Sequence, residues 1–299
     1  MIVTASSQTE TPQPSPARPE EGGYWFSKPR RSRGTIIDLL GVVAGDARPG
    51  YLLCDFDMTY SCSLLEHLRE RGIRATITSV LIKAIAIAQR THAMSRTESI
   101  PFGSLVTYGN IVAGFTVERT VDGQPTVFLG EIEHPDQKSI EQIASELKRY
   151  ASEPIDTIQP LRLQGLLSRM PAPLRRLILT MAKIFPPLRL QFQKASFGLT
   201  SLGKFGVSTL LSPCLCSSTF GIGEMEERPV IVGSEIEVQK QLTVSYNFDI
   251  RAFDYAQAAD FLSMIRQIVE GSLDGFLNED ERLLDVPGCL SGAERNSGQ

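Results

Sequence analysis

The sequence is short of the side chains that most often do acid–base and metal chemistry. Its three histidines are His67 on a short helix, His92 at the end of an apolar one, and His134 beside Pro135 in a loop. Each has an ordinary structural explanation, so none stands out as a general base. The five cysteines, Cys54, Cys62, Cys214, Cys216 and Cys289, are an odd number, which argues against a complete disulfide framework. Cys214-x-Cys216 has no second Cys or His pair, so a zinc site is not expected, nor any other metal; reduced thiols in a cytoplasm are the simplest reading. The longest apolar run, "VLIKAIAIA" at 80–88, falls short of the about 20 residues that cross a bilayer, and it carries Lys83. The start of the chain has no basic stretch followed by an apolar one, so a secretory signal is not expected. A net charge of −4 argues against a general attraction to nucleic acid. Acidic residues are also missing locally: from Thr157 to Gly223 there is not one Asp or Glu.

What is present suffices for a core. A chain of 299 residues, 42% of them hydrophobic, can build one large domain or two small ones. Residues 1–23, rich in Pro, Ser, Thr and Glu, read as a disordered tail, and 286–299 as a flexible end. With no repeat and no interior linker, residues 24–285 are expected to form one domain.

Periodicity supplies the elements. "YLLCDFDM" (51–58) alternates as a strand. "SLLEHLRERG" follows as a helix, with Ser63 and Glu66 spaced as a capping box and Gly72 as its stop. Residues 77–90 form a helix apolar nearly all round, hence deep in the core. "GNIVAGFTVERTVDGQPTVFLGEIE" reads as a hairpin turning at Asp122-Gly123. Residues 139–150 form a helix capped by Ser139 and Gln142. A Pro-punctuated helical stretch spans 160–193, and strands follow near 196–200 and 217–222. A further hairpin turns at Gly233-Ser234 into a strand with Leu242, Val244, Tyr246 and Phe248 on one face. The last helix puts Ala258, Phe261, Leu262, Ile265 and Val269 on one face. Helices mixed with strands and hairpins imply an α/β or α+β fold, a mixed β-sheet covered by helices.

The acid-free stretch carries Arg162, Arg169, Arg175, Arg176, Lys183, Arg189, Lys194 and Lys204. Within it, "APLRRLILTMAKIF" places Leu174, Leu177, Ile178, Met181 and Phe185 on one helical face. Arg175, Arg176 and Lys183 lie off that face and are expected to be replaceable without damage to the fold. Two readings stay open for this field. One is an anionic partner: CoA phosphates, an acyl carrier protein with its phosphopantetheine arm, or, less favoured, a membrane surface. The other is a solvated helix face.

Three segments together resemble a known family: "ASFGLTSLGKFGV" (195–207), "FGIGEMEERPVIVGSEIEVQKQLTVSYNFD" (220–249) and "IRAFDYAQAADFL" (250–262). They are similar to the catalytic domain of the dihydrolipoamide acyltransferases, the core subunits of 2-oxoacid dehydrogenase complexes, which share the chloramphenicol acetyltransferase fold. "CDFDMT", "TSVLIKAIAIAQRTHAMSR" and "HPDQKSIEQIASEL" match further landmarks in order, so the resemblance covers roughly residues 30 to 275.

The resemblance implies a chloramphenicol acetyltransferase-like homotrimer that transfers acyl groups between thioesters. In the family a His-Arg-x-x-Asp-Gly histidine takes the acceptor's proton, while a Ser or Thr donates to the tetrahedral oxyanion from the neighbouring subunit. Here the motif reads Ile250, Arg251, Ala252, Phe253, Asp254, Tyr255: the aspartate matches, the histidine is isoleucine and the glycine is tyrosine. Thr200 falls at the oxyanion position with Ser201 beside it. The family's Asn-Pro-Pro-Gln loop is "SPCLC" (212–216), and no lipoyl domain with its Asp-Lys-Ala sequence is found. Thr200 and Asp254 are thus the expected catalytic residues, and Ser201, Arg251, Tyr255 and Ile250 the expected substrate contacts. Asp254 could instead serve an ion pair, and Cys214 or Cys216 could carry an acyl group or merely pack. The expected substrate is an acyl-CoA or phosphopantetheine thioester, with no covalent cofactor. The expected function is a stand-alone acyltransferase, in the setting of specialised metabolism; the alternative is an inactive pseudo-acyltransferase acting as a binding or scaffold subunit.

Overall fold

The computed structural model describes residues 31–121, 124–278 and 281–282. The Asp122-Gly123 turn, Cys289 and both expected tails lie outside them.

Six strands form one mixed sheet: β1 (Pro49–Asp57), β4 (Val112–Val121), β5 (Gln124–Glu133), β6 (Phe197–Ser201), β7 (Ser218–Val232) and β8 (Glu235–Asp249), in the order β1-β8-β7-β6-β4-β5. β6 runs parallel to both β4 and β7, and the other pairs are antiparallel. β2 (Thr97–Ile100) and β3 (Ser104–Thr107) make a separate ribbon. The mixed, helix-covered sheet expected from the sequence is what forms.

Because strand residues alternate between faces, the sheet has two different sides. Phe115, Val117, Leu199, Phe220, Leu242, Val244, Tyr246 and Phe248 are buried in the main core with α2 (Thr59–Glu70), α3 (Ile77–Thr91), α4 (Ile140–Ser152) and α8 (Tyr255–Gln267). At about 1.5–3 kcal/mol per fully buried large apolar side chain, this face dominates the stability. α3 is buried nearly all round, as its composition demands; Lys83 is accommodated because its Nζ donates to the carbonyls of Asp136 (2.8 Å) and Lys138 (2.7 Å). α4 begins with the expected box: Ser139 Oγ accepts from Gln142 N at 3.1 Å, and Gln142 Oε1 accepts from Ser139 N at 2.9 Å.

The Ser63–Glu66 box does not form. The helix starts four residues earlier, at Thr59, because Asp57 Oδ1 accepts from Thr59 N at 2.9 Å. Ser63 is then interior, and its hydroxyl donates back to Thr59 O at 3.1 Å. The stop is as read, with Gly72 at φ 84.

Over the other side of the sheet lie α1 (Arg31–Leu39), α5 (Gln159–Arg169), α6 (Ala172–Ile184) and α7 (Pro186–Phe192). α6 is rotated from the expected orientation. Arg175, Leu179 and Ala182 face inward, whereas Leu174, Leu177, Met181 and Phe185 are exposed. The cause is Asp38 on α1, itself 4% exposed. Its Oδ2 accepts from Arg175 Nε at 2.8 Å and from Arg175 Nη2, and its Oδ1 from Arg176 Nε at 2.6 Å. A buried carboxylate without a cation would cost several kcal/mol, so the charge pair sets the helix's rotation.

Candidate functional site

The loop after β8 is fixed by local bonds. Ile250 N donates to Arg48 O at 2.9 Å, and Ala252 N to Asp249 O at 3.0 Å. Arg251 folds back on Asp249, its backbone N at 3.0 Å from Oδ1 and its Nη2 at 2.5 Å from Oδ2. Burial alone would raise the Asp249 carboxyl, but these bonds from Arg251 bring it below its ordinary value. Phe253 anchors the loop edge-on against Tyr246, Phe248 and Phe261. Asp254 is exposed and pairs with no arginine among the described residues: it N-caps α8, Oδ1 accepting from Gln257 N at 2.8 Å. Ile250 and Tyr255 are exposed, the tyrosine ring edge-on to Phe248. Ile250 also leans over Gly50, where an added Cβ would come within 2.8 Å of Ile250 Cγ2. Gly50 is needed for that close approach.

Thr200 lies elsewhere. It sits on β6 with Gly221 and then Ser245 beside it on the neighbouring strands. Two strand spacings across and five residues along put Ile250 roughly 20 Å from Thr200 within one chain. The loop and the threonine therefore do not meet in a single protomer. Ser201 points to the opposite face from Thr200.

Instead Thr200 forms part of the floor of a cavity of about 860 Å³ between the sheet and its cover of α1, α5, α6 and α7. The hydroxyl of Thr200 makes no hydrogen bond with a described residue. On the same face, Thr116 Oγ1 and Thr219 Oγ1 are buried without partners. Gly114 and Gly198 contribute no side chains to this floor, which leaves it deep. The loop from Val207 to Pro213 presses onto β7 beside it. An added Cβ on Gly221 or Gly223 would strike Leu210 O or Ser208 O.

Cys214 and Cys216 are free, the first buried and the second half-buried, and desolvation pushes both thiols up to about 12. They pack as neutral thiols, and no activated nucleophile results. His92 caps α3, its Nε2 3.1 Å from Asp260 Oδ2 and its ring against Phe261.

Much of the basic stretch is neutralised internally. Arg175 and Arg176 bind Asp38, Lys183 binds Asp46, Arg189 binds Glu98 (2.5 Å) and Lys194 binds Glu133 (2.5 Å). The acids that the stretch lacks come from α1, the turn before β1, β2 and β5. Arg175, at 5% exposure, is not replaceable without damage to the fold. Arg162 and Arg169 on α5 are exposed, with no partner among the described residues. Sequence reasoning missed the cavity, since its floor of glycine and threonine carries no motif, and it missed Asp38, a single acid in a short helix.

Residues 188–277 match the family described as the 2-oxoacid dehydrogenases acyltransferase (catalytic domain). The lipoamide acyltransferase component of the branched-chain alpha-keto acid dehydrogenase complex of Pseudomonas putida is 34% identical over 84 residues, 27% of this chain and 20% of that protein. The dihydrolipoyllysine-residue acetyltransferase component of the acetoin cleaving system of Bacillus subtilis is 37% identical over 83 residues, 27% of this chain and 21% of its own. The chain thus spans about a fifth of the length of these relatives.

Among solved structures, the dihydrolipoamide acetyltransferase of Azotobacter vinelandii superposes with a TM-score of 0.63 at 18% identity, covering 88% of this chain and 99% of that one. A probable dihydrolipoamide acetyltransferase of Listeria monocytogenes gives 0.62 at 18% identity, covering 87% and 98%. Identities this low speak for the fold. No helix among the described residues is long and apolar enough to cross a membrane. Residues 188–277 are thus similar in sequence to the catalytic domain of the 2-oxoacid dehydrogenase acyltransferases, and 87–88% of the chain shares the fold of the solved dihydrolipoamide acetyltransferases.

Proposed function

We propose that the protein transfers acyl groups from a CoA or carrier-protein thioester to a thiol acceptor. The observation that carries this reading is the unpartnered Thr200 hydroxyl on the cavity floor, a donor placed for the oxygen of a tetrahedral intermediate. The acceptor sulfur attacks the thioester carbonyl carbon, the carbon–sulfur bond to the donor breaks, and the acceptor's proton ends on the departing thiolate. Ile250 supplies no base for that proton, a deficit of about 10²- to 10⁴-fold for an acceptor that must be deprotonated. A thiol, with a pKa of about 8.5, ionises partly unaided and suits such a site better than an alcohol. Arg162 and Arg169, free of acidic partners among the described residues, are left for the donor's phosphates.

The working unit in this reading is a homotrimer, since the loop and the threonine stand too far apart in one chain to act together. The β7–β8 hairpin supports it. Beyond Gln241, the last β8 residue paired with β1, the hairpin projects outward with Ile231 79%, Ile236 76% and Val238 70% exposed. Exposed apolar surface of this kind marks an interaction site. Light scattering at micromolar concentration should give three times the 32.9 kDa chain mass; a monomer would sink the shared-site arrangement.

A second reading, an inactive subunit that binds a thioester or its carrier, is favoured by one observation: the motif loop is an exposed turn whose only ion pair among the described residues is Asp249 with Arg251. Turnover of acetyl-CoA with a small thiol separates the two. Ile250→His, or Ile250→His with Tyr255→Gly to free the ring's rotamer, should raise that turnover at least about tenfold. A double variant that stays trimeric, binds CoA and gains nothing would show that this loop does not face the reacting atoms.

A further inference from the structure

The cavity is far larger than an acetyl group needs. At about 860 Å³ it lies near the upper end of ligand pockets, which run from about 300 to 1,000 Å³. Its floor and walls differ in character. The polar atoms cluster on the central strands, where Thr200 is flanked by the unpartnered hydroxyls of Thr116 and Thr219, the latter residue 4% exposed. Buried hydroxyls left without partners are uncommon and mark a place where a ligand or water supplies the missing bond.

Away from that cluster, toward the β5 edge, the walls turn apolar: Leu39, Val43, Val127, Leu129, Leu166 and Leu179. Of the charged groups that line the cavity, Arg175 is paired with Asp38, Arg189 with Glu98 and Lys183 with Asp46, while Arg162 and Arg169 on α5 are exposed and left for the donor's phosphates. Glu131 accepts from Lys194 N at 2.9 Å, and burial pushes its carboxyl up toward the neutral form. The chamber therefore sets unpartnered hydroxyls over the central strands against a largely apolar wall toward β5.

We propose that this cavity binds the extended apolar chain of a long-chain acyl thioester. The carbonyl end lies among Thr116, Thr200 and Thr219, and the chain runs beneath α1, α5 and α6. This rests on the acyl-transfer reading and names its substrate class.

The test is calorimetric titration of the full chain with CoA thioesters carrying two, eight, twelve and sixteen carbons, with free CoA as control. Each buried methylene is worth up to about fourfold in affinity, so dissociation constants should fall at least about a hundredfold from two carbons to twelve. Ala182→Trp on α6 and, independently, Val127→Trp on β5 fill the chamber from opposite walls. Either should erase the chain-length gain and leave acetyl-CoA binding unchanged. Affinity independent of chain length overturns the proposal, even if acetyl transfer is found. Strong long-chain binding that both tryptophans leave intact overturns it too. Steep chain-length dependence without turnover of any thioester supports the cavity assignment and removes only the acyl-transfer reading.

Discussion

On one side of the sheet Phe220 stacks on Tyr246 at 4.8 Å between centroids, and Phe253 and Phe261 close around them edge-on. On the other side Asp38 lies between Arg175 and Arg176, Arg189 meets Glu98, and Lys183 meets Asp46. The first side is held by apolar contact spread over many residues, so no single one is decisive. The second is a cover of short helices fastened by a few charge pairs, enclosing space rather than filling it. A cover fastened that way leaves room over the sheet for a ligand, which a fully packed core would not.

Removing one fastener should break the contrast most sharply. Asp38→Ala leaves Arg175 buried without its counterion, a change that costs about 3–5 kcal/mol when one partner of a buried pair is deleted. The expected outcome is a large fall in the thermal midpoint, with hydrogen exchange rising first in α1 and α6 and last in β8. Uniform exchange across both sides of the sheet would mean that the cover and the core unfold as one unit.

The same contrast explains what was legible in the sequence. The packed side announces itself: Leu242, Val244, Tyr246 and Phe248 alternate, and Ala258, Phe261, Leu262 and Ile265 recur at helical spacing, so burial followed from pattern. All of these are buried as read. The Gly233-Ser234 turn was likewise legible, because Gly233 at φ 65 takes a conformation other residues avoid.

The cover was misread for a physical reason. α6 offers two stripes at helical spacing, Leu174-Leu177-Met181-Phe185 and Arg175-Leu179-Ala182, and hydrophobicity selects the first. The buried acid on α1, 137 residues away in the chain, selects the second. Long-range pairing of that kind leaves no local mark. The site divided similarly. The motif loop could be found by its neighbours, but that Asp254 caps α8 and Arg251 pairs with Asp249 was not read from the sequence. Thr200 was found by its strand, while Thr116 and Thr219 were invisible until register placed them on the same face.

The smallest effect expected comes from Asp249, and its pH dependence sharpens the comparison. The pair with Arg251 lies at the end of β8, on the side away from the aromatic core, and is partly solvated, the arginine side chain 39% exposed. Screening limits such a pair to about 1 kcal/mol or less. Its carboxyl is held below the ordinary 3.8, despite burial, by bonds from Arg251. A group whose folded value is depressed binds fewer protons than the unfolded chain, so its contribution is complete above the unfolded value. It is lost as pH falls below 3.8 through the lower folded value. Asp249→Asn removes the charge and keeps an acceptor for the Arg251 backbone. At pH 6 the variant should melt slightly below the parent, and the two midpoints should converge as pH drops through that window. Asp38 also has a depressed value, but it is present in both proteins and cancels in the difference. A gap that persists unchanged at pH 3 would assign Asp249's role to the shape of the turn rather than to its charge.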